Sequence, residues 1–188
     1  MIASMKYAQR LGARGFTVIE IIVVLALVGI LSTLAIPSLR VLLNNQALSN
    51  SASDFLSGVI QARSAALKAN RRAIIQPILN NDWRTGWMVY IDINSNGVYD
   101  ASVDTLVLTR EPLPADVAIN SGTGSGDSAT VTVFGFSADG FLEAISGSRN
   151  GSVVMQSSFT GRKKFITVSK VGRARICDPV ASPGCEPS

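Results

Sequence analysis

An apolar stretch near the N-terminus constrains this chain more than any other feature. Residues 16–36 are almost all apolar and contain one carboxylate, Glu20, near their start. A helix of this length rises about 30 Å, the thickness of the hydrocarbon core of a bilayer. Because the bilayer offers no water to backbone amides, a helix is the open-ended structure that can occupy it. The stretch therefore predicts a membrane-spanning helix over residues 16–37, with a kink or loosening at Pro37.

The residues that flank this stretch give its orientation. Lys6, Arg10 and Arg14 precede it without any acidic residue, and basic flanks stay on the cytoplasmic side of a membrane. The bulk of the chain is therefore expected beyond the membrane. Glu20 is anomalous, because a carboxylate in the bilayer costs roughly 2.5–3.5 kcal/mol on insertion scales. Glu20 either snorkels to the nearby interface or meets a cation from another subunit.

The N-terminal residues do not have the pattern of an ordinary secretory signal, because their hydrophobic region follows Gly15 instead of preceding it. The sequence from Gly15 to Glu20 resembles the processing motif of type IV pilins and type II secretion pseudopilins. The resemblance implies that prepilin peptidase removes residues 1–15 and that Phe16 is N-methylated. It also implies that Glu20 pairs with the N-terminal amine of a neighbouring subunit. An ordinary single-span anchor would not explain both the cut site and the glutamate.

Beyond the apolar stretch, the sequence predicts a head with one helix followed by strands. Residues 38–70 form an amphipathic helix, with apolar side chains at three- and four-residue steps from Leu48 to Leu67. Residues 71–188 form a β-rich head, in which Pro77 restricts the end of the first strand to an edge or a bulge. We expect an α+β fold in which the long N-terminal helix packs on antiparallel sheet. The predicted strands are Arg72–Leu79, Gly86–Ile93, Thr105–Arg110, Val117–Asn120, Thr130–Phe136, Ser152–Gln156, Lys164–Ser169 and Ala174–Cys177.

Composition argues against catalysis. The chain has no histidine, which excludes zinc sites, catalytic triads and pH switches that depend on it. The sequence has no phosphate-binding loop and no nucleophile–base pair with histidine, and although a serine–lysine pair stays open, we do not expect an enzyme. The leader holds three of the 17 basic residues and none of the 13 acidic ones, which leaves the mature chain at 14 minus 13, or +1. Net charge therefore predicts no anionic partner. Only a local concentration of positive charge would predict one.

Cys177 and Cys185 are the only cysteines, and both lie in the C-terminal tail. In an oxidising compartment such a pair forms a disulfide. Two prolines and a glycine between them allow the chain to turn back, and closing so short a loop stabilises the fold by about 2–3 kcal/mol. A redox or metal-binding pair is the alternative.

The segment Asn81–Asp100 carries a tryptophan, a Gly-Trp pair, a strand and an Asp-x-Asn-x-Asn-Gly turn. It resembles the head of the GspH/FimT group of minor pilins. The turn also overlays the first nine positions of a calcium loop, in which alternate oxygens converge on the ion. The twelfth position is Val103 instead of a glutamate, and Asp104 follows one residue late. The loop is either a turn that its own side chains cap or a weak calcium site. We expect no other cofactor. The candidate ligands are Asp92, Asn94, Asn96 and Asp100.

A stretch without acidic residues lies between Glu143 and Asp178 and predicts a positive patch. Arg173 and Arg175 would point to the same face of an extended strand, because side chains alternate. Gly172 either lets the backbone approach a ligand or makes the turn. The seven cations of this stretch are Arg149, Arg162, Lys163, Lys164, Lys170, Arg173 and Arg175.

The four residues from Gly172 to Arg175 match the GRxR motif of FimT-like minor pilins. That resemblance implies that the two arginines bind the phosphate backbone of double-stranded DNA that is taken up for natural transformation. Neighbouring cations, Arg162, Lys163, Lys164 and Lys170, would widen the charged surface. A solvated basic face without a ligand is the alternative.

Two functions follow from these patterns. The first is a minor type IV pilin, at the tip or in a priming complex, that binds DNA for uptake. The second is an H-type minor pseudopilin of a type II secretion system, a structural subunit without DNA binding. Both imply a bacterial inner-membrane protein with one span and a periplasmic head, which later joins a filament. The expected partners are other pilins or pseudopilins, prepilin peptidase and the membrane.

Overall fold

The computed structural model describes residues 15–79, 81–122, 133–143 and 151–182. The chain divides into two compact units, Met1–Arg40 and Val41–Ser188. One helix, α1 (Val18–Ala69), begins in the first unit and ends in the second.

The start of α1 is fixed by reciprocal hydrogen bonds between two side chains and the backbone. The Thr17 amide donates to Glu20 Oε2 over 2.8 Å, and the Glu20 amide donates to Thr17 Oγ1 over 3.3 Å. This is a capping box, which satisfies two amides that the first helical turn leaves unpaired. The Thr17 hydroxyl also donates to Glu20 Oε2 over 2.9 Å. The glutamate that the sequence marks as anomalous therefore has a local structural role.

Pro37 lies inside α1 without ending it. A proline ring clashes with the carbonyl group four residues earlier, which here belongs to Thr33, and α1 has a local break there, between Thr33 and Ala35. By length and composition, no single helix of the described residues could cross a membrane, whereas the bent pair Val18–Thr33 and Ala35–Ala69 passes that test together.

The second unit contains nine strands within the described residues. They are β1 (Ala73–Pro77), β2 (Trp87–Ile91), β3 (Thr105–Arg110), β4 (Val117–Gly122), β5 (Phe134–Phe136), β6 (Leu142–Glu143), β7 (Gly151–Ser157), β8 (Lys163–Val168) and β9 (Ala174–Cys177). A five-stranded sheet has the order β3-β2-β1-β5-β6, and a four-stranded sheet has the order β4-β7-β8-β9. Every strand pair in both sheets is antiparallel.

One apolar core joins the C-terminal part of α1 to both sheets. Phe55 is fully buried at its centre, with edge-to-face ring contacts to Trp83 at 4.9 Å and to Trp87 at 5.2 Å between centroids. Such aromatic pairs add to the stabilisation that burial already gives. Ile60 and Leu67, which the sequence placed on the buried stripe of the helix, are instead 53% and 50% exposed. The buried stripe is therefore narrower than predicted.

The α+β fold with a long N-terminal helix and antiparallel sheet is confirmed. Each predicted strand overlaps an observed one, and β6, with only two residues, is the strand that the sequence did not predict. β1 lies between β2 and β5. Because β5 pairs only with Ala73–Ile75, the end of β1 at Pro77 has β2 as its one neighbouring strand among the described residues, and this local edge is where the sequence predicted it.

Candidate nucleic-acid interface

The GRxR motif begins in the turn between β8 and β9 and continues into β9. The Ser169 amide donates to the Arg173 carbonyl over 3.0 Å, which extends the β8–β9 ladder by one pair. The Gly172 amide donates to the Ser169 carbonyl over 2.8 Å, and Gly172 has φ +74°. Only glycine takes this left-handed conformation at little cost, so the turn explains why the motif begins with it.

Gly172 is also buried, and its α-carbon faces the protein. A Cβ at this position would collide with the Gly140 carbonyl oxygen and would lie 2.8 Å from Arg63 Nε. Of the two roles that the sequence left open for Gly172, the geometry supports the turn. The close backbone approach made by this glycine is to another part of the same chain.

Arg175 lies in β9, opposite Thr167 of β8. Its Nε donates to Thr167 Oγ1 over 3.2 Å, which orients the base of the guanidinium on the face of the sheet. Arg173 precedes β9, and the alternation of side chains directs it to the same face. Both arginines are exposed, and neither forms an ion pair with a described residue.

The other predicted cations fall into two groups. Lys163 and Lys170 are exposed and form no ion pair within the described part of the chain. Arg162 and Lys164 instead approach Asp178 Oδ2, at 3.4 and 3.6 Å. Asp178 ends the acid-free stretch of sequence, but in the fold it returns beside these two cations. The surface of unpaired charge is therefore smaller than the sequence pattern predicts. Arg149 lies outside the described residues.

Asp178 is held ionised by its surroundings. Burial alone would raise the pKa of its carboxyl group. The backbone amides of Val180 and Ala181, together with Lys164 and Arg162, outweigh burial and bring that pKa below its ordinary value. Hydrogen bonds and cations favour the charged form of a carboxyl group, whereas desolvation favours the neutral form. The result is a fixed negative charge at one end of the basic surface.

The last residue of β9, Cys177, anchors the end of the strand. Cys177 is buried and disulfide-bonded. Its predicted partner, Cys185, lies outside the described residues, so that pairing stays a prediction.

The calcium-like loop has a different arrangement. Asp92 is fully buried, and its Oδ2 accepts hydrogen bonds from Arg72 Nη2 at 2.6 Å and from the Gly97 amide at 2.9 Å. Asp104 accepts from the Ile93 and Asp100 amides. Asn94, Asn96 and Asp100 each accept from the backbone amide two residues further along. No group of three acidic or cysteine side chains that could hold a metal ion occurs among the described residues. The geometry is that of a turn capped by its own side chains, and calcium binding stays a prediction.

Two arginines that the sequence did not single out have defined positions in the fold. Arg72 closes the calcium-like loop by pairing with Asp92. Arg63, on α1, donates from Nε to the Gly140 carbonyl over 3.0 Å and contacts Gly172. Nothing in the local sequence marks Arg63, because its contacts with Gly140 and Gly172 join residues that are far apart in the sequence. At the other end of the chain, the processing residues Gly15 and Phe16 are exposed and precede α1.

Comparisons with known proteins give two kinds of match. Residues 51–172 match the family model described as type II transport protein GspH, and residues 10–36 match the prokaryotic N-terminal methylation motif. The type IV minor pilin FimU of Pseudomonas aeruginosa has a similar structure, with 18% identity, a TM-score of 0.56 and coverage of 75% of this chain and 96% of that chain. The minor pseudopilin EpsH of Vibrio cholerae aligns with 9% identity, a TM-score of 0.46 and coverage of 70% and 96%. No curated protein matches the chain.

Proposed function

We propose that this chain, which belongs to the GspH family of pilin and pseudopilin assembly subunits, is a minor type IV pilin that binds the backbone of double-stranded DNA. The family match ends at Gly172, just before the two arginines. Family membership therefore supports the assembly role, and DNA binding depends on the chemistry of the β8–β9 turn.

The assembly role requires processing of the N-terminus. In our proposal, prepilin peptidase cuts after Gly15, Phe16 is N-methylated, and α1 is held in the bacterial inner membrane with the head in the periplasm. The methylation motif at residues 10–36 supports this. So does the exposure of almost every side chain from residue 16 to residue 31. An apolar surface of this size is stable in lipid or against the helices of other subunits. Glu20 then pairs with the N-terminal amine of a neighbour.

The observation that supports DNA binding is the exposure of Arg173 and Arg175 without a carboxylate partner in the described part of the chain. Arginine presents a planar fork of N–H groups that matches phosphate oxygens. Lys163 and Lys170 extend the positive field around this turn. Such contacts are independent of base sequence and weaken with salt, with a slope of about −0.9 per neutralised phosphate in log affinity against log salt.

The test is a salt-dependent titration of the full chain, purified in nonionic detergent, with mixed-sequence duplex DNA. Replacing Arg173→Ala together with Arg175→Ala removes two phosphate contacts. We expect loss of most of the affinity at low salt and a salt slope that is shallower by about 1.8 units. The matched control is Lys68→Ala with Arg71→Ala, which removes two exposed cations that lie outside β8 and β9 and form no ion pair with a described residue. Unchanged affinity in the first double variant at low salt would rule out DNA binding through this turn.

An H-type minor pseudopilin of a type II secretion system is the second candidate function, and the description of the matching family model favours it. This candidate predicts binding to other minor pseudopilins and no affinity of the wild-type chain for DNA. Neighbouring genes separate the two candidates, because secretion operons and pilus operons encode different partners.

A further inference from the structure

Arg63 is in direct contact with the turn that carries the GRxR motif. Its Nε donates to the Gly140 carbonyl, and its Nε and Cδ lie 2.8 and 3.2 Å from the position that a Cβ of Gly172 would take. Leu67, one turn further along α1, packs against Gly140 beside Arg63. The Leu142 amide donates to the Lys170 carbonyl over 2.9 Å. The helix, the β5–β6 turn and the β8–β9 turn are therefore joined at one point.

The hydrogen bonding of Arg63 uses only part of its guanidinium. Within the described residues, Nε has the Gly140 carbonyl as its partner, and Nη1 and Nη2 have neither a hydrogen bond nor an ion pair. These two nitrogens carry four N–H donors, and a guanidinium cannot lose its charge in a protein. The side chain is half-buried, so solvent still reaches it. A purely structural bond to a carbonyl group does not require this charge.

From this arrangement we propose that Arg63 is a third phosphate-binding arginine, acting beside Arg173 and Arg175. This inference rests on the DNA-binding function proposed above and names a residue from a different element. The bond from Nε to Gly140 fixes the side chain before a ligand arrives. Since ordering a long side chain on binding costs free energy, an arginine that is already held by its own fold binds at lower cost.

The same contact gives Gly172 a second function. A side chain at Gly172 would displace Arg63 as well as the Gly140 carbonyl. The glycine of the motif therefore keeps an arginine of the helix close to the arginines of the strand. One acidic residue, Asp139, is exposed in the adjacent β5–β6 turn, so this surface is not free of negative charge.

The experiment compares Arg63→Gln with Arg63→Lys in the full chain, using the same duplex DNA titration. Arg63→Gln removes the charge. We expect it to lower affinity about tenfold near 0.1 M salt and to make the salt slope shallower by about 0.9. Arg63→Lys keeps the charge but replaces the planar guanidinium with an ammonium group. The salt slope should therefore stay at the wild-type value, and affinity should fall less than in Arg63→Gln. Lys68→Gln, an exposed charge on another face of α1, is the matched control and should change neither quantity.

The outcomes separate the two proposals. If the wild-type chain does not bind DNA, the proposed function fails and this inference fails with it. If Arg173→Ala with Arg175→Ala abolishes binding while Arg63→Gln leaves affinity and slope unchanged, only the inference about Arg63 is wrong. If the glutamine and lysine variants lower affinity equally with an unchanged slope, Arg63 only supports the turn, and the inference is again wrong.

A measurement on the wild-type chain avoids dependence on the folding of the variants. An arginine-selective dicarbonyl reagent modifies accessible guanidinium groups, and peptide mass spectrometry locates the modified residues. We expect saturating DNA to slow modification of Arg63 severalfold, together with Arg173 and Arg175, while Arg84 reacts at the same rate with and without DNA. Protection of Arg173 and Arg175 without protection of Arg63 would overturn the inference.

Discussion

Two polar regions of the head use charge in opposite ways. In the loop from Asp92 to Asp104, the buried carboxylate of Asp92 accepts from Arg72 and from two backbone amides. At the β8–β9 turn and the start of β9, Arg173 and Arg175 are exposed and form no ion pair with a described residue. Both regions resemble ligand sites in sequence, the first a calcium loop and the second a phosphate-binding motif.

The difference shows how a structural charge is distinguished from one that is available to a ligand. A buried charge is tolerated only when it is paired and hydrogen-bonded, so the partners of Asp92 are a condition of folding. An exposed cation needs no partner, because water already solvates it, and surface ion pairs contribute little to stability. Charge in the Asp92 loop therefore maintains the fold, whereas charge at the β8–β9 turn can be neutralised by an external anion.

The largest expected effect tests the structural side of this comparison. Asp92→Ala leaves Arg72 without its closest partner and removes the acceptor for the Asn96 and Gly97 amides. We expect the free energy of unfolding to fall by about 3–5 kcal/mol. Urea unfolding, followed by the fluorescence of buried Trp83 and Trp87, measures it.

The control for this change is Asp116→Ala, which removes an exposed aspartate. It should leave the urea midpoint almost unchanged. If Asp92→Ala were as mild as Asp116→Ala, the pairing in the loop would not stabilise the fold, and the distinction between the two regions would be lost.

A smaller loss of stability is expected for a substitution in the β8–β9 turn. Gly172→Ala places a side chain at positive φ and against Gly140 and Arg63, and we expect a loss of about 1–3 kcal/mol in unfolding free energy. Gly161→Ala is the control, because Gly161 has φ +69° and open space where a Cβ would lie, so it measures backbone strain alone. Gly172→Ala should be the more destabilising variant and should also weaken DNA binding, which Gly161→Ala should not. Equal losses in the two variants would show that the contact with Arg63 contributes nothing.

The sequence predicted the parts of this structure that depend on neighbouring residues. The period of the apolar side chains located the helix, and turn-forming residues separated the strands. Strand order, the two-residue strand β6 and the return of Asp178 beside Arg162 depend on contacts between distant segments, which periodicity does not encode. Arg63 is the clearest example, since an arginine on an amphipathic helix is ordinary until the fold brings Gly140 and Gly172 against it.

Asp178 combines both kinds of charge, because it is a structural carboxylate that pairs with two cations of the basic surface. We expect its replacement to have the smallest effect on stability. Because its pKa is below the ordinary value, its stabilising contribution is complete above about pH 4 and is lost as pH falls through the lowered pKa. Asp178→Asn keeps an acceptor for the Val180 amide but removes the charge. The difference in urea midpoint between wild type and this variant should therefore shrink as pH falls below about 4. A difference that stayed constant down to acid pH would show that ionisation of Asp178 does not stabilise the fold.

The same variant also tests whether Asp178 limits the basic surface. Asp178→Asn releases Arg162 and Lys164 from their shared partner. If unpaired cations are what phosphate binds, affinity for duplex DNA at neutral pH should rise a few-fold and the salt slope should steepen, by about 0.9 for each added contact. Unchanged affinity would mean that Arg162 and Lys164 lie outside the surface that binds DNA.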